Sequence, residues 1–172
     1  MAIQQVHHAD TSSSKVLGQL RGKRVLITGT TGFLGKVVLE KLIRAVPDIG
    51  AIYLLIRGNK RHPDARSRFL EEIATSSVFD RLREADSEAF DAFLEERIHC
   101  VTGEVTEAGF GIGQEDYRNL ATELDAVINS AASVNFREEL DKALAINTLC
   151  LRNIAGLVDL NPKLAVLQVS TC

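Results

Sequence analysis

Thr28-Gly29-Thr30-Thr31-Gly32-Phe33-Leu34-Gly35 lies between an apolar run, Val25-Leu26-Ile27, and a segment whose apolar residues recur at helical spacing. Strand, glycine turn and helix in that order form a cradle for a dinucleotide diphosphate. Gly29 lets the chain turn sharply off the strand, Gly32 lets the backbone approach a pyrophosphate, and Gly35 lets the new helix sit tightly on the sheet. Thr30, Thr31, Phe33 and Leu34 complete the loop, whose main-chain amides are expected to wrap the diphosphate. The helix N-terminus adds unpaired N–H groups and a partial positive charge. An isolated glycine turn could be ordinary punctuation, but the elements on both sides favour the nucleotide reading.

The 172 residues, 45% hydrophobic and 25% charged, suffice for a real core. A net charge of −3 supplies no basic excess for nucleic acid. No run approaches the ~18 consecutive apolar residues of a membrane span, so no transmembrane segment is expected. Residues 1–15 read as a disordered leader without the apolar core of a secretory signal. Cys100, Cys150 and Cys172 are scattered and odd in number, which fits a reducing, cytoplasmic setting. His7-His8 has no third ligand at a suitable spacing, so no metal site is expected.

After a short apolar patch at Val16–Leu20, read as a packing turn, strands are expected at Arg24–Thr28, Ala51–Ile56, Arg97–Thr102, Ala126–Asn129 and Leu164–Ser170. Helices are expected at Phe33–Ala45, with Leu34, Val37, Val38 and Leu42 on one face, at Glu115–Ala121 and at Glu138–Val158. Residues 60–97 read as a charged helical insertion carrying four of the seven phenylalanines. Those rings could line a greasy passage, but packing on the sheet is favoured. Alternating strands and helices mean an α/β fold: a Rossmann-type, doubly wound parallel sheet of order 3-2-1-4-5. The fifth strand would be left as a raw edge, Val166–Val169, so residues 16–172 read as an incomplete nucleotide-binding domain, the first half of a larger protein. Pairing into a homo-oligomer is one way of covering such an edge.

An NAD-selective sheet ends its second strand in an acid that holds the ribose 2′-OH. Here Leu54-Leu55-Ile56 runs into Arg57, with Lys60 and Arg61 close behind. A guanidinium can grip a 2′-phosphate bidentately, which favours NADPH over NADH. Glu104-Val105 after the third strand and Ser130-Ala131-Ala132 after the fourth are expected on the adenine side. On the long helix, Leu140, Leu144, Leu151, Ile154 and Val158 make an inward stripe, and Asn147 falls in its gap. A buried amide costs ~1–3 kcal/mol unless it is bonded, so Asn147 should have a partner. With the hydroxyls of Ser170 and Thr171 at the end of the fifth strand, it suggests a proton-handling site beside a nicotinamide.

These residues, Thr28–Gly35 as TGTTGFLG, the Leu-Leu-Ile-Arg strand, Gly103-Glu104-Val105, Ser130–Phe136, Asn147-Thr148 and Val169–Cys172, resemble the extended short-chain dehydrogenase/reductases. More narrowly, the chain is similar to the N-terminal half of a fatty acyl-CoA reductase of the alcohol-forming type, over about residues 15–172. The resemblance implies NADPH-dependent reduction of a long-chain fatty acyl-CoA to the fatty aldehyde, and in some members onward to the fatty alcohol. A hydroxyl holds the developing oxyanion, and a tyrosine kept at low pKa by a lysine gives the proton. Thr171 matches the hydroxyl position, with Ser170 as the fallback. Asn147 matches the asparagine that helps hold the lysine's water relay.

Two departures stand out. Glu104 replaces the usual Asp, which is expected only to alter an adenine contact. The Tyr-x-x-x-Lys pair is absent: Tyr53 has Arg57 four residues on, and Tyr117 has Ala121. The 172 residues alone are therefore expected to bind cofactor weakly or not at all, and not to turn over, with the tyrosine, lysine and acyl pocket beyond Cys172. The rival readings are the terminal domain of a carboxylic acid reductase, disfavoured by Met1 just before the fold, a sugar-nucleotide epimerase or dehydratase, disfavoured by the insertion and Arg57, and a non-catalytic NADP-sensing module.

Overall fold

The computed structural model describes residues 11–170. Helix α1 (Thr11–Gln19) precedes β1 (Arg24–Thr28), the glycine loop, α2 (Phe33–Ala45) and β2 (Ala51–Ile56). The insertion follows as α3 (Ala65–Arg68), which continues into a π-helical turn (Phe69–Ile73), then a 3-10 turn (Ser77–Phe79), α4 (Asp80–Ala85) and α5 (Ser87–Arg97). The chain then forms β3 (Ile98–Thr102), a 3-10 turn (Ala108–Gly111), α6 (Gln114–Glu123) and β4 (Ala126–Asn129). Helix α7 (Leu140–Leu144), a second π-helical turn (Ala145–Leu149), α8 (Leu151–Leu160) and β5 (Ala165–Gln168) complete it.

The five strands all pair in parallel and the order is β3-β2-β1-β4-β5, as expected for a doubly wound sheet. Side chains alternate between the faces of each strand, so each apolar run feeds two cores. Val25, Ile27, Ile52, Leu54 and Ile56 face a layer made by α2 and the insertion, while Leu26, Leu55 and Val127 face α6 and α8. Phe69, Phe79 and Phe90 are buried in the first core, so the insertion's phenylalanines pack rather than line a passage.

Three expectations change. Residues 11–15, read as disordered, belong to α1, and the patch at Val16–Leu20 ends that helix and begins the turn after it, with Leu17 and Leu20 against the core. Residues 1–10, with Met1 and His7-His8, lie outside the described residues. On α2 the buried stripe is Gly35, Leu39, Leu42 and Ile43, whereas Leu34 is exposed. The inward stripe of the long helix also fails at three of its five positions. Leu140, Leu144 and Leu151 are exposed, and Cys150, Ile154 and Leu157 are the buried positions. The π-helical turn carries more residues per turn than an α-helix, so the apolar phase before it does not continue after it. By length and composition alone Leu140–Leu160 is apolar enough to cross a membrane. Its second half nevertheless packs on the sheet through Ile154 and Leu157.

Among the described residues, strand β5 pairs with β4 alone, and all four of its residues are exposed.

Candidate cofactor-binding cleft

The carboxyl ends of β1, β2, β3 and β4 converge on one cleft of about 210 Å³. Gly29, Thr31, Gly32, Arg57, Glu104, Val105, Ser130, Ala131 and Ala132, nine residues singled out from the sequence, line it. Each glycine of the loop has a different steric reason. Gly29 has φ +76°, and an added Cβ would lie 2.7 Å from the Ser130 and Ala131 backbone. A Cβ on Gly35 would lie 2.4 Å from the Gly29 carbonyl oxygen, so α2 rests directly on the turn. Gly32 differs, because the nearest atom to its Cβ would be the Gly29 carbonyl oxygen at 3.3 Å. That contact is tight without being prohibitive, and Gly32 lines the cleft, where bare backbone leaves room for a ligand. No side chain caps the N-terminus of α2. An uncapped helix start beside a cradle that a side chain would fill fits a dinucleotide diphosphate.

Thr30, Phe33, Leu34, Gly35 and Lys60 do not line the cleft. Thr30 is buried, and its Oγ1 has no hydrogen-bond partner. Phe33 and Leu34 turn their side chains outward, Gly35 lies beneath the turn, and Lys60 is exposed. Any contact these residues make with a ligand would come from the main chain of the loop, except for Lys60, which stands apart.

Polar bonds tie the strand ends together. Thr28 Oγ1 donates to Asn129 Oδ1 (2.5 Å), Asn129 Nδ2 donates to Gln168 Oε1 (2.7 Å), and Ser130 Oγ donates to the Thr28 carbonyl (2.7 Å). Thr28 and Asn129 are buried polar residues, and Asn129 was expected only as the end of the fourth strand. The signal was available, since Asn129 closes an apolar strand and a buried amide demands partners.

The β3 side rests on Asn153 of α8, which was also missed. Its Nδ2 donates to the Val105 and Glu107 carbonyls (2.9 and 2.7 Å), and its Oδ1 accepts from Gly109 N (3.0 Å). Gly103 must be glycine, because a Cβ would lie 2.5 Å from the Phe110 carbonyl oxygen.

Arg57 Nη1 meets Glu104 Oε2 at 3.0 Å, joining the ends of β2 and β3. Arg68, unforeseen from the sequence, also lines the cleft; it donates to the Arg57 carbonyl (2.6 Å) and to Glu72 (2.9 Å). Arg68 and Asn59 hold the Glu72 carboxyl below its usual range. Nothing near Arg68 in sequence announces its role, because the insertion folds back to deliver it.

Asn147 is exposed, not buried in an apolar stripe. It sits in the second π-helical turn, and its amide clamps one residue: Ser133 N donates to Asn147 Oδ1 (2.8 Å), and Asn147 Nδ2 donates to the Ser133 carbonyl (3.1 Å). The clamp borders a cavity of about 620 Å³ lined by Val134, Phe136, Leu140 and Ala143, among others. Ser170 follows β5 and is exposed, whereas Thr171 lies outside the described residues. Neither tyrosine has a lowered pKa. Burial and the Glu123 carboxylate push Tyr53 up to about 12, and burial with Asp159 nearby raises Tyr117. Among the described residues no cluster could hold a metal ion.

Residues 27–172 match the NAD-binding family described as Male sterility protein. The chain belongs to this family. This member is 38% identical over 157 residues to "Fatty acyl-CoA reductase 2, chloroplastic" of Arabidopsis thaliana, covering 91% of the chain and 25% of that protein. It is 35% identical to "Fatty acyl-CoA reductase 1" of Mus musculus, covering 87% of the chain and 28% of that protein. Among solved structures, the terminal R domain from the myxalamid PKS-NRPS biosynthetic pathway is similar at a TM-score of 0.67 and 27% identity, over 87% of the chain and 34% of that domain. The reductase domain of a non-ribosomal peptide synthetase from Mycobacterium tuberculosis is similar at 0.66 and 27%, over 95% and 37%. The family member described here is thus homologous to fatty acyl-CoA reductases and carries an NAD(P)-binding Rossmann fold. It spans about a quarter of the length of these curated relatives.

Proposed function

We propose that the protein containing this chain reduces a long-chain fatty acyl-CoA with NADPH to the fatty aldehyde and onward to the fatty alcohol, and that this chain supplies the cofactor cleft. The carrying observation is the cleft itself, where an uncapped helix start, a cleft-lining Gly32 and Arg57 converge at the carboxyl ends of four parallel strands. When bound, NADPH supplies a hydride to the thioester carbonyl. Main-chain amides from residues 29 to 35 bind the diphosphate, and Arg57 binds the 2′-phosphate. Asn147 holds the loop after β4 at Ser133, which fixes the border between the cleft and the apolar cavity. That cavity, with exposed Val134, Phe136 and Leu140, supports an apolar acyl group as substrate. The hydroxyl of Thr171 or Ser170 stabilises the oxyanion as it forms. The proton comes from a Tyr-x-x-x-Lys pair elsewhere in the complete protein, since Tyr53 and Tyr117 are held protonated and lack the lysine.

The test is to express the complete gene and follow NADPH oxidation with acyl-CoAs of several chain lengths, identifying aldehyde and alcohol by mass. Oxidation that depends on a long acyl chain is expected. Tight NADPH binding without turnover of any thioester would leave the non-catalytic reading standing instead. The similarity to a thiolation-reductase di-domain of an archaeal non-ribosomal peptide synthetase (25% identity, TM-score 0.64) favours a second reading, in which the thioester arrives tethered to a carrier domain. Supplying the same acyl group on a carrier protein and on CoA separates the two.

A further inference from the structure

We propose that Glu104 is a competing latch on the nucleotide site: its carboxylate occupies Arg57 in the free protein and gives it up to a 2′-phosphate but not to the 2′-hydroxyl of NADH. This rests on the NADPH reading of the cleft and adds to it a competing group within the chain. Glu104 was expected only to alter an adenine contact. The structure instead places its Oε2 3.0 Å from Arg57 Nη1.

Both ends of this pair are built. Glu104 N donates to the Phe110 carbonyl (2.9 Å), and Asn153 holds the next residue through the Val105 carbonyl. Across the cleft, Arg68 holds the Arg57 carbonyl at 2.6 Å, with its own guanidinium engaged by Glu72. Of the two arginines lining the cleft, each therefore has an acidic partner, and an arriving phosphate must compete for one of them.

Arg57 is the one that can be released. Its side chain is 68% exposed and meets Glu104 through a single nitrogen, whereas Arg68 is 16% exposed and bonds in two directions. A one-point exposed pair is weak, so a phosphate that engages the guanidinium bidentately displaces it, whereas a neutral hydroxyl does not. Two effects of Glu104 oppose each other. The pair steadies the guanidinium before ligand arrives, and the carboxylate repels a phosphate beside it. Because Arg57 remains largely exposed while paired, the steadying is small and repulsion dominates. Glu104 thus weakens NADPH binding, leaves NADH untouched and keeps weaker anions off the arginine.

The test is a titration of NADPH and NADH into the protein made from the complete gene, followed by nucleotide fluorescence, for wild type, Glu104→Gln, Arg57→Gln and the double variant. Glu104→Gln should tighten NADPH about two- to fivefold, the range of an exposed ion pair, with NADH unchanged. The gain should vanish in the Arg57→Gln background and shrink at high salt. Equal weakening of both nucleotides would overturn the latch in favour of a plain adenine contact, and an NADPH gain that persists without Arg57 would overturn the coupling. If wild type binds NADH as tightly as NADPH, the NADPH reading itself falls and takes the latch with it.

Discussion

Gly35→Ala isolates the steric logic of the glycine loop. The new methyl would lie 2.4 Å from the Gly29 carbonyl oxygen and 2.7 Å from the Gly29 carbonyl carbon and the Thr30 Cα, all backbone atoms that cannot rotate away. Restoring ordinary contact requires the loop and α2 to separate by about 1 Å. Two terms compete. Alanine improves helix propensity by ~1 kcal/mol over glycine, and overpacking of a rigid contact costs roughly 1–3 kcal/mol. Overpacking prevails, giving a net loss of up to about 2 kcal/mol. Cofactor binding should suffer more than stability, because the displaced atoms are the cradle; a loss of tenfold or more in NADPH affinity is expected. Gly18→Ala is the control: Gly18 lies in α1 with nothing within 4 Å of an added Cβ, so it keeps only the propensity gain. Urea unfolding followed by circular dichroism, with nucleotide titration on the same samples, reads both quantities. If Gly35→Ala were as stable as Gly18→Ala and bound NADPH normally, the tight seating of α2 on the turn would be refuted.

Arg57→Asp should cost at least about tenfold in NADPH affinity and move preference toward NADH, because a carboxylate repels the 2′-phosphate and can accept from a ribose hydroxyl; unchanged selectivity in paired titrations would remove Arg57 from the site. Asn153→Ala removes three hydrogen bonds holding the loop after β3, so about 2–3 kcal/mol and a fall of roughly 5–10 °C in Tm are expected by thermal denaturation. Tyr53 has its folded pKa raised to about 12 by burial and Glu123. A raised pKa means the contribution is fully present below the ordinary tyrosine value near 10 and is lost as pH climbs from there through about 12. Tm measured from pH 9 to 12 should therefore fall more steeply in wild type than in Tyr53→Phe, and parallel curves would count against a phenol held by Glu123.

The positions of β1, α2, β2 and β4 were legible because their signals are local. Continuous apolar runs such as Ala51–Ile56 suit strands covered on both faces, and the glycines of residues 29–35 answer to backbone geometry within seven residues. The same reasoning failed on the long helix, where a constant 3.6-residue period was carried across a π-helical turn. Leu140 and Leu144 are exposed as a result, and Asn147 binds Ser133 at the surface instead of filling a core position.

The amino-acid sequence by itself determined the layered α/β sheet, its strand order and the glycine cradle, because periodicity and backbone freedom are properties of neighbouring residues. Only the tertiary structure decided the electrostatics of the cleft. It brings Glu104 to Arg57 across 47 positions of chain, folds the insertion back so that Arg68 grips the Arg57 carbonyl, and sets Asn153 under the loop after β3. Such pairings depend on which surfaces the sheet places side by side, and that information exists only once the strands have assembled.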